Sequence, residues 1–270
     1  MLHSKFNNLL KLKNDFLNNQ IFPHIRLTNF LDYEICNKVN EEIDININDI
    51  KPYFSFNTKK YALNNLEKMG ENTRKLIGFL NSKDFIKKLE DITGLKNLIA
   101  DEQLEGGGIH ITKKDGYLKV HADFESHIIN KTWKRKINLL LYFNKDFKEN
   151  YNANLELYST NLKEKVSYLP EFNSAVIFLT DENSFHGHPI PFDPKKNEIR
   201  KSIALYYYID EKKNLSLKET NFKPLPDDNI FKITIMRLDQ ILLKLFSFLK
   251  RNKLIKDDTY TNFIKFFKKK

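Results

Sequence analysis

The sequence predicts an α+β fold in which helices come first, an antiparallel sandwich or barrel of short strands follows, and a helical extension closes the chain. Three observations carry this. Apolar residues recur at helical spacing several times before residue 94. From Gly106 to Ile209, six short β-rich runs follow one another without intervening helices, which argues against βαβ units. After Pro224 and Pro226 the helical period returns.

The first twenty residues read as a helix, with Phe6, Leu9, Leu10 and Phe16 near one face. Phe22 to Leu27 is a short β-type run after the break at Asn18-Asn19-Gln20. Asn29 or Asp32 starts a helix through Ile43, with Ile35, Val39 and Ile43 at i, i+4 and i+8. Further helices are expected over 72–80 and 83–92, the second stopped by Gly94. The predicted strands are 109–112, 117–121, 137–143, 155–158, 175–179 and 203–209. Phe231, Ile235, Leu238, Leu242, Leu245 and Leu249 then alternate spacings of four and three, which predicts one apolar stripe on a long helix. The expected division is a domain over 1–226, its strand core about 106–210, and a basic amphipathic tail over 227–270.

At 270 residues and 41% hydrophobic content, the chain can bury one sizeable core, which excludes a disordered protein. The one cysteine, Cys36, excludes an internal disulfide framework and a cysteine-based zinc or iron–sulfur site. No run of about 18 apolar residues predicts a membrane span. The first sixteen residues lack the apolar run and cleavage site of a signal peptide, so a reducing, cytoplasmic location is expected. From Asn229 onward there are eleven Lys/Arg against three Asp, which is +8 of the net +10. The basic character therefore belongs to the tail, including its Lys268-Lys269-Lys270 end. Packing on the main domain, a homodimer helix and peripheral contact with an anionic membrane are the readings left open for it; nucleic acid is not an expected partner.

The chemistry is carried by Val120-His121-Ala122-Asp123-Phe124. On a strand, side chains at i and i+2 share a face, so His121 and Asp123 can address one metal. A third ligand is available in Ser184-Phe185-His186-Gly187-His188, which follows the apolar run 175–179. His188, two residues on, competes for that role. Two histidines and a carboxylate suit Fe(II) and leave three positions open, two for a 2-keto acid and one for O2. Arg200 starts the next apolar strand and offers a planar fork for the far carboxylate of a bound diacid, and Tyr142 can add a hydroxyl donor. His110, His188 and Trp133 are candidate lining residues, and His127 lies in the loop after Asp123. Gly106-Gly107-Gly108 lacks the Lys-Ser/Thr of a phosphate loop and marks a bulge or tight turn instead.

With these residues in view, the stretch from about Gly106 to Ile209 resembles the prolyl 4-hydroxylase-like branch of 2-oxoglutarate/Fe(II) oxygenases. The resemblance rests on VHADF, LLLYFNKDF, NSAVIFLTDENSFH and the R-x-x-I-x-L-Y-Y-Y strand, with FPHIRLTNFLDYEICNKV upstream. It implies a double-stranded β-helix, or jelly roll, with supporting helices. It implies iron on His121, Asp123 and His186, and 2-oxoglutarate on Arg200 with Tyr142. The ungapped match of the preceding apolar run favours His186 over His188. Fe(II), 2-oxoglutarate and O2, with ascorbate as a further cofactor, are the implied requirements. Hydroxylation of a prolyl or other amino-acid residue, or of a small metabolite, is the implied activity. Where the family often carries Gly-Gly, this chain has Asn152-Ala153-Asn154. The competing readings are a cupin-like metal protein, which has no need of Arg200, and an inactive jelly-roll binding module, for which retained ligands have no purpose.

Overall fold

The computed structural model describes residues 1–45, 50–216, 218–252, 254–255 and 259–268. The N-terminus is not the single helix expected: two 3-10 turns, Ser4–Phe6 and Leu10–Leu12, precede a short α1 (Lys13–Leu17). The Asn8 side chain accepts from the Leu10 N–H, the kind of local bond that competes with helix propagation. Phe6, Leu9 and Phe16 are buried nonetheless, while Leu10 is 53% exposed. β1 (His24–Thr28) leads to α2 (Tyr33–Ile45), whose first N–H groups are capped by the Asp32 carboxylate. Its buried face is Cys36, Val39, Asn40 and Ile43, so Ile35 sits at the margin.

A hairpin that the sequence reading did not foresee comes next, β2 (Lys51–Phe54) and β3 (Thr58–Leu63). α3 (Glu71–Leu80) and α4 (Lys83–Thr93) follow. Ser82 caps α4 at its start, and Gly94 ends it in the left-handed conformation at φ +76°. The remaining strands are β4 (Ile99–Ala100), β5 (Gly108–Thr112), β6 (Tyr117–Ala122), β7 (Trp133–Tyr142), β8 (Leu155–Tyr158), β9 (Lys165–Tyr168), β10 (Ser174–Leu179), β11 (Phe185–His188), β12 (Arg200–Asp210) and β13 (Asn221–Phe222). Two helices, α5 (Ile230–Arg251) and α6 (Thr259–Lys268), close the chain.

The strands pair antiparallel in the order β1-β10-β7-β12-β5-β3-β6-β11-β8-β9, a nearly closed jelly-roll barrel. Strand periodicity divides its residues between two faces. Leu139 and Leu141 of β7 and Ile203, Leu205 and Tyr207 of β12 join Leu76, Leu80, Phe85, Leu89 and Ile92 of the helices in one core. Alternating with them, Leu140, Ala204, Tyr206 and Tyr208 cluster on the opposite face, where Tyr142 meets Leu155 and Leu157 of β8. β3 and β5 approach closely at Gly108, where φ is +91° and a Cβ would collide with the Leu63 carbonyl oxygen.

α5 packs out of phase with the stripe predicted for it. Phe231, Leu238 and Leu245 are exposed, whereas Met236 and Asp239 are buried and Phe246 meets Tyr260 of α6. The inward face is organised by a buried acid rather than by apolar residues alone. Asp239 accepts from the N–H groups of Phe56 and Asn57 in the β2–β3 turn, both at 3.1 Å, and α6 lies against β2. Lys253, Lys256, Asp257, Asp258, Lys269 and Lys270, which carry part of the predicted tail charge, lie outside the described residues. No helix among the described residues is long and apolar enough to cross a membrane.

Candidate active site

β6 and β11 pair so that His186 stands directly opposite His121, with ring centroids 4.4 Å apart. Asp123 follows immediately after β6. Its Oδ1 lies 3.4 Å from His121 Nε2 and its Oδ2 3.3 Å from His186 Nε2. One ligand atom from each of the three residues falls within 4.8 Å of the other two. The Nδ1–H of His121 donates to the Lys119 carbonyl at 2.8 Å, and that of His186 to the Ser184 carbonyl at 3.0 Å. This tautomer leaves both Nε2 lone pairs pointed at the space beside Asp123. Phe178 and Phe222 pack against the two rings, at 4.7 Å and 5.3 Å, and screen them from water. Two buried imidazoles and a partly exposed carboxylate, without sulfur, suit a borderline divalent metal such as Fe(II).

Asp123 is fixed by residues that the sequence reading missed. Its Oδ2 accepts from Arg135 Nη2 at 3.0 Å and from Asn138 Nδ2 at 2.7 Å, and Arg135 Nε donates to Asn138 Oδ1 at 2.8 Å. The Arg135 guanidinium lies 3.3 Å from the Tyr206 ring centroid and 4.7 Å from that of Phe124. Burial opposes the charge on Asp123, but Arg135 and the two histidines outweigh it and hold the carboxyl well below its ordinary range.

Arg200 opens β12 opposite Thr112 of β5. Its Nε donates to the Ala153 carbonyl at 2.8 Å and its guanidinium stands 5.1 Å over the Tyr142 ring. Asn152 and Ala153 adopt φ of +60° and +57°, the left-handed region that glycine enters most freely. The chain thus keeps, without glycine, a turn of the kind a Gly-Gly pair favours. The Tyr142 hydroxyl and His188 Nδ1 are buried without a hydrogen-bond partner among the described residues. Buried polar atoms ordinarily have partners, so this end of the cavity is fitted to receive a polar ligand.

His188 stands outside the triad, because the β6–β11 register shifts between His186 and His188. It lies near Arg200 instead, and burial, with that guanidinium, pushes its pKa well down. His110 also turns inward: its Nε2–H donates to the Gly106 carbonyl at 3.1 Å, leaving Nδ1 to accept from Lys60 Nζ at 3.5 Å. Burial and Lys60 keep His110 neutral. Trp133 and His127 pack with Tyr208, at ring distances of 6.0 Å and 5.2 Å, and His127 Nε2 is 3.4 Å from Asp101 Oδ1, so the pair anchors the loop after Asp123.

A pH dependence follows. Burial lowers the folded-state pKa of His24, His110, His121 and His188. The unfolded chain therefore binds more protons as pH falls through about 6.5, the ordinary histidine value. Stability present above that value is lost on acidification. Thermal melts of the metal-free protein should show a midpoint falling steadily from pH 7 to pH 5; a flat profile would contradict the burial of neutral imidazoles.

The family model for the 2OG-Fe(II) oxygenase superfamily matches residues 107–208, a span that contains the triad, Tyr142 and Arg200. No curated protein sequence matches the chain. Among solved structures, a Pseudomonas putida prolyl-4-hydroxylase aligns with a TM-score of 0.56 at 11% identity, covering 74% of this chain and 98% of its own. A Trichoplax adhaerens prolyl hydroxylase, solved with a peptide fragment of the hypoxia inducible factor oxygen degradation domain, gives 0.54 at 18% identity, with 77% and 92% covered. A Phytophthora capsici prolyl 4-hydroxylase gives 0.52 at 17%, with 79% and 68% covered. The chain therefore carries a 2OG-Fe(II) oxygenase superfamily domain on a prolyl 4-hydroxylase-like fold, and is a 2-oxoglutarate-dependent dioxygenase that uses Fe(II), 2-oxoglutarate and O2.

Proposed function

We propose that the chain hydroxylates a C–H bond of an amino acid, an amino-acid residue in a peptide or a comparable small molecule, with His121, Asp123 and His186 as the iron ligands. The observation that carries this reading is the convergence of the triad with Arg200, Tyr142 and His188 on one inner face of the barrel. Bound there, ferrous iron with O2 supplies the oxidising power, and the co-substrate leaves as succinate and CO2.

The protein's own groups divide the remaining work. The carbonyls that accept from the two Nδ1–H groups fix the tautomer and ring orientation, so that each imidazole offers Nε2 as its ligand atom. Asp123 stays ionised, and the Arg135–Asn138 clamp fixes its rotation by occupying Oδ2. The opposite oxygen, Oδ1, is thereby turned toward His121. Arg200 presents its free guanidinium edge to the far carboxylate of 2-oxoglutarate, with the Tyr142 hydroxyl beside it. Solved relatives in fold act on prolyl substrates by name, one of them with a peptide bound, which supports a peptide or small-molecule substrate.

The test is Arg200→Met. Loss of a charge-assisted contact worth about 1.5–3 kcal/mol should raise the half-saturating 2-oxoglutarate concentration roughly 10- to 100-fold. The readouts are succinate formation and the anaerobic visible absorption of the protein with Fe(II) and 2-oxoglutarate. An unchanged 2-oxoglutarate requirement would remove Arg200 from this role.

A further inference from the structure

A half-buried cation, Lys60, is left over once the roles above are assigned. Lys60 lies on β3, where Tyr61 pairs with Ile111 and Ala62 with His110. Tyr61 packs against the helix-side core, so strand alternation turns Lys60 to the inner face beside His110. Its Nζ lies 3.5 Å from His110 Nδ1, and His110 pairs with Ser202, two residues from Arg200 on the inner face of β12, so Lys60 lines the same cavity. Asp123 is already engaged by Arg135, and Arg200 is committed to the co-substrate.

Lys60 has no carboxylate within ion-pair reach among the described residues. Its contacts are the neutral His110 Nδ1 at 3.5 Å and the Tyr53 ring, 5.7 Å from Nζ to the centroid. Burial lowers its pKa to about 8, with Arg135 and Arg200 acting in the same direction and Asp123 opposing them. Lys60 is half-buried and the Tyr53 beside it is 45% exposed, so Lys60 stands on the solvent side of the cavity. An ammonium partly removed from water without a counter-ion is disfavoured until an anion completes it. Its placement makes the incoming substrate the source of that anion.

We infer that Lys60, with His110 and the edge of Tyr53, binds a carboxylate of the substrate, so that the substrate class is small carboxylic acids such as free amino acids. This rests on the oxygenase reading and narrows it. The ammonium grips the carboxylate at the mouth while the C–H bond to be oxidised faces the triad. The same carboxylate chemistry could come from the keto-acid end of 2-oxoglutarate, and the experiment separates the two sources.

The full chain with Fe(II) and 2-oxoglutarate is compared as wild type, Lys60→Met and Lys60→Arg. The probes are L-proline, L-leucine and L-lysine, each beside its carboxamide. At least one acid should accelerate 2-oxoglutarate consumption in the wild type, and its amide should not. Lys60→Met should raise the half-saturating concentration of that acid about tenfold, and Lys60→Arg should restore it. The 2-oxoglutarate requirement should stay within about twofold across the three proteins. A second readout is anaerobic: the acid should perturb the visible absorption of the loaded wild type and Lys60→Arg proteins, and not that of Lys60→Met. The inference is overturned if acids and amides act alike in the wild type, with no effect of either counted as alike. It is also overturned if Lys60→Met raises the 2-oxoglutarate requirement tenfold, which assigns Lys60 to the co-substrate. A wild type that consumes no 2-oxoglutarate with iron present defeats the oxygenase reading instead, before any variant is compared.

Discussion

Asp123→Ala should reduce 2-oxoglutarate consumption to background and strip the protein of tightly held iron. Changes to residues that merely orient metal ligands typically cost 10–100-fold in affinity or activity, so loss of a direct ligand should exceed about 100-fold. The same substitution also leaves Arg135, which is fully buried, without its carboxylate partner. Removing one member of a buried pair costs about 3–5 kcal/mol, so a bare loss of activity would be ambiguous. The double variant Asp123→Ala/Arg135→Met resolves it. It should recover most of the melting temperature lost by the single variant, because the orphaned guanidinium is gone, and still consume no 2-oxoglutarate. Full turnover in either variant would show that Asp123 is not a ligand.

The triad was legible because it obeys short-range rules. His121 and Asp123 share a strand face by their spacing of two, and His186 follows an apolar run long enough to be a buried strand. Arg135 was hidden by a local exception to the same rule. It lies three residues from Asn138, an odd separation that places two side chains on opposite faces of a regular strand. The β7–β12 register shifts between Tyr207 and Tyr208, so that Tyr208 meets Arg135 while Tyr207 meets Ile137. That irregularity breaks the alternation and brings Arg135 and Asn138 to one carboxylate. Lys60 was hidden for a different reason. The hairpin 51–63 mixes three Lys with four aromatic residues and has no clean apolar alternation, because its inner face meets a polar cavity rather than a core.

The tail shows how a correct period can be read with the wrong phase. Six apolar residues of α5 defined a stripe, yet its Leu238 is 55% exposed while neighbouring Asp239 is fully buried. Burial of a carboxylate is tolerated there because every donor facing it is satisfied. Asp239 takes the N–H groups of Phe56 and Asn57, the Asn57 side-chain amide at 2.7 Å and the Tyr260 hydroxyl. Asp239→Ala should therefore destabilise the protein far more than Leu238→Ala. The Phe56 N–H and the Tyr260 hydroxyl lose an acceptor, while Asn57 keeps the Ser55 hydroxyl and the Met236 carbonyl, a cost of about 2 kcal/mol or more, which for a chain of this size lowers the melting temperature by roughly 4–8 °C. Leu238→Ala, on the exposed side, should stay within about 0.5 kcal/mol. The effect should also reach the cavity. Asp239 holds the turn of the hairpin whose second strand carries Lys60, so limited proteolysis of Asp239→Ala should cut first within 51–63. If the two variants melt together, α5 is held by its apolar residues and the acid is incidental.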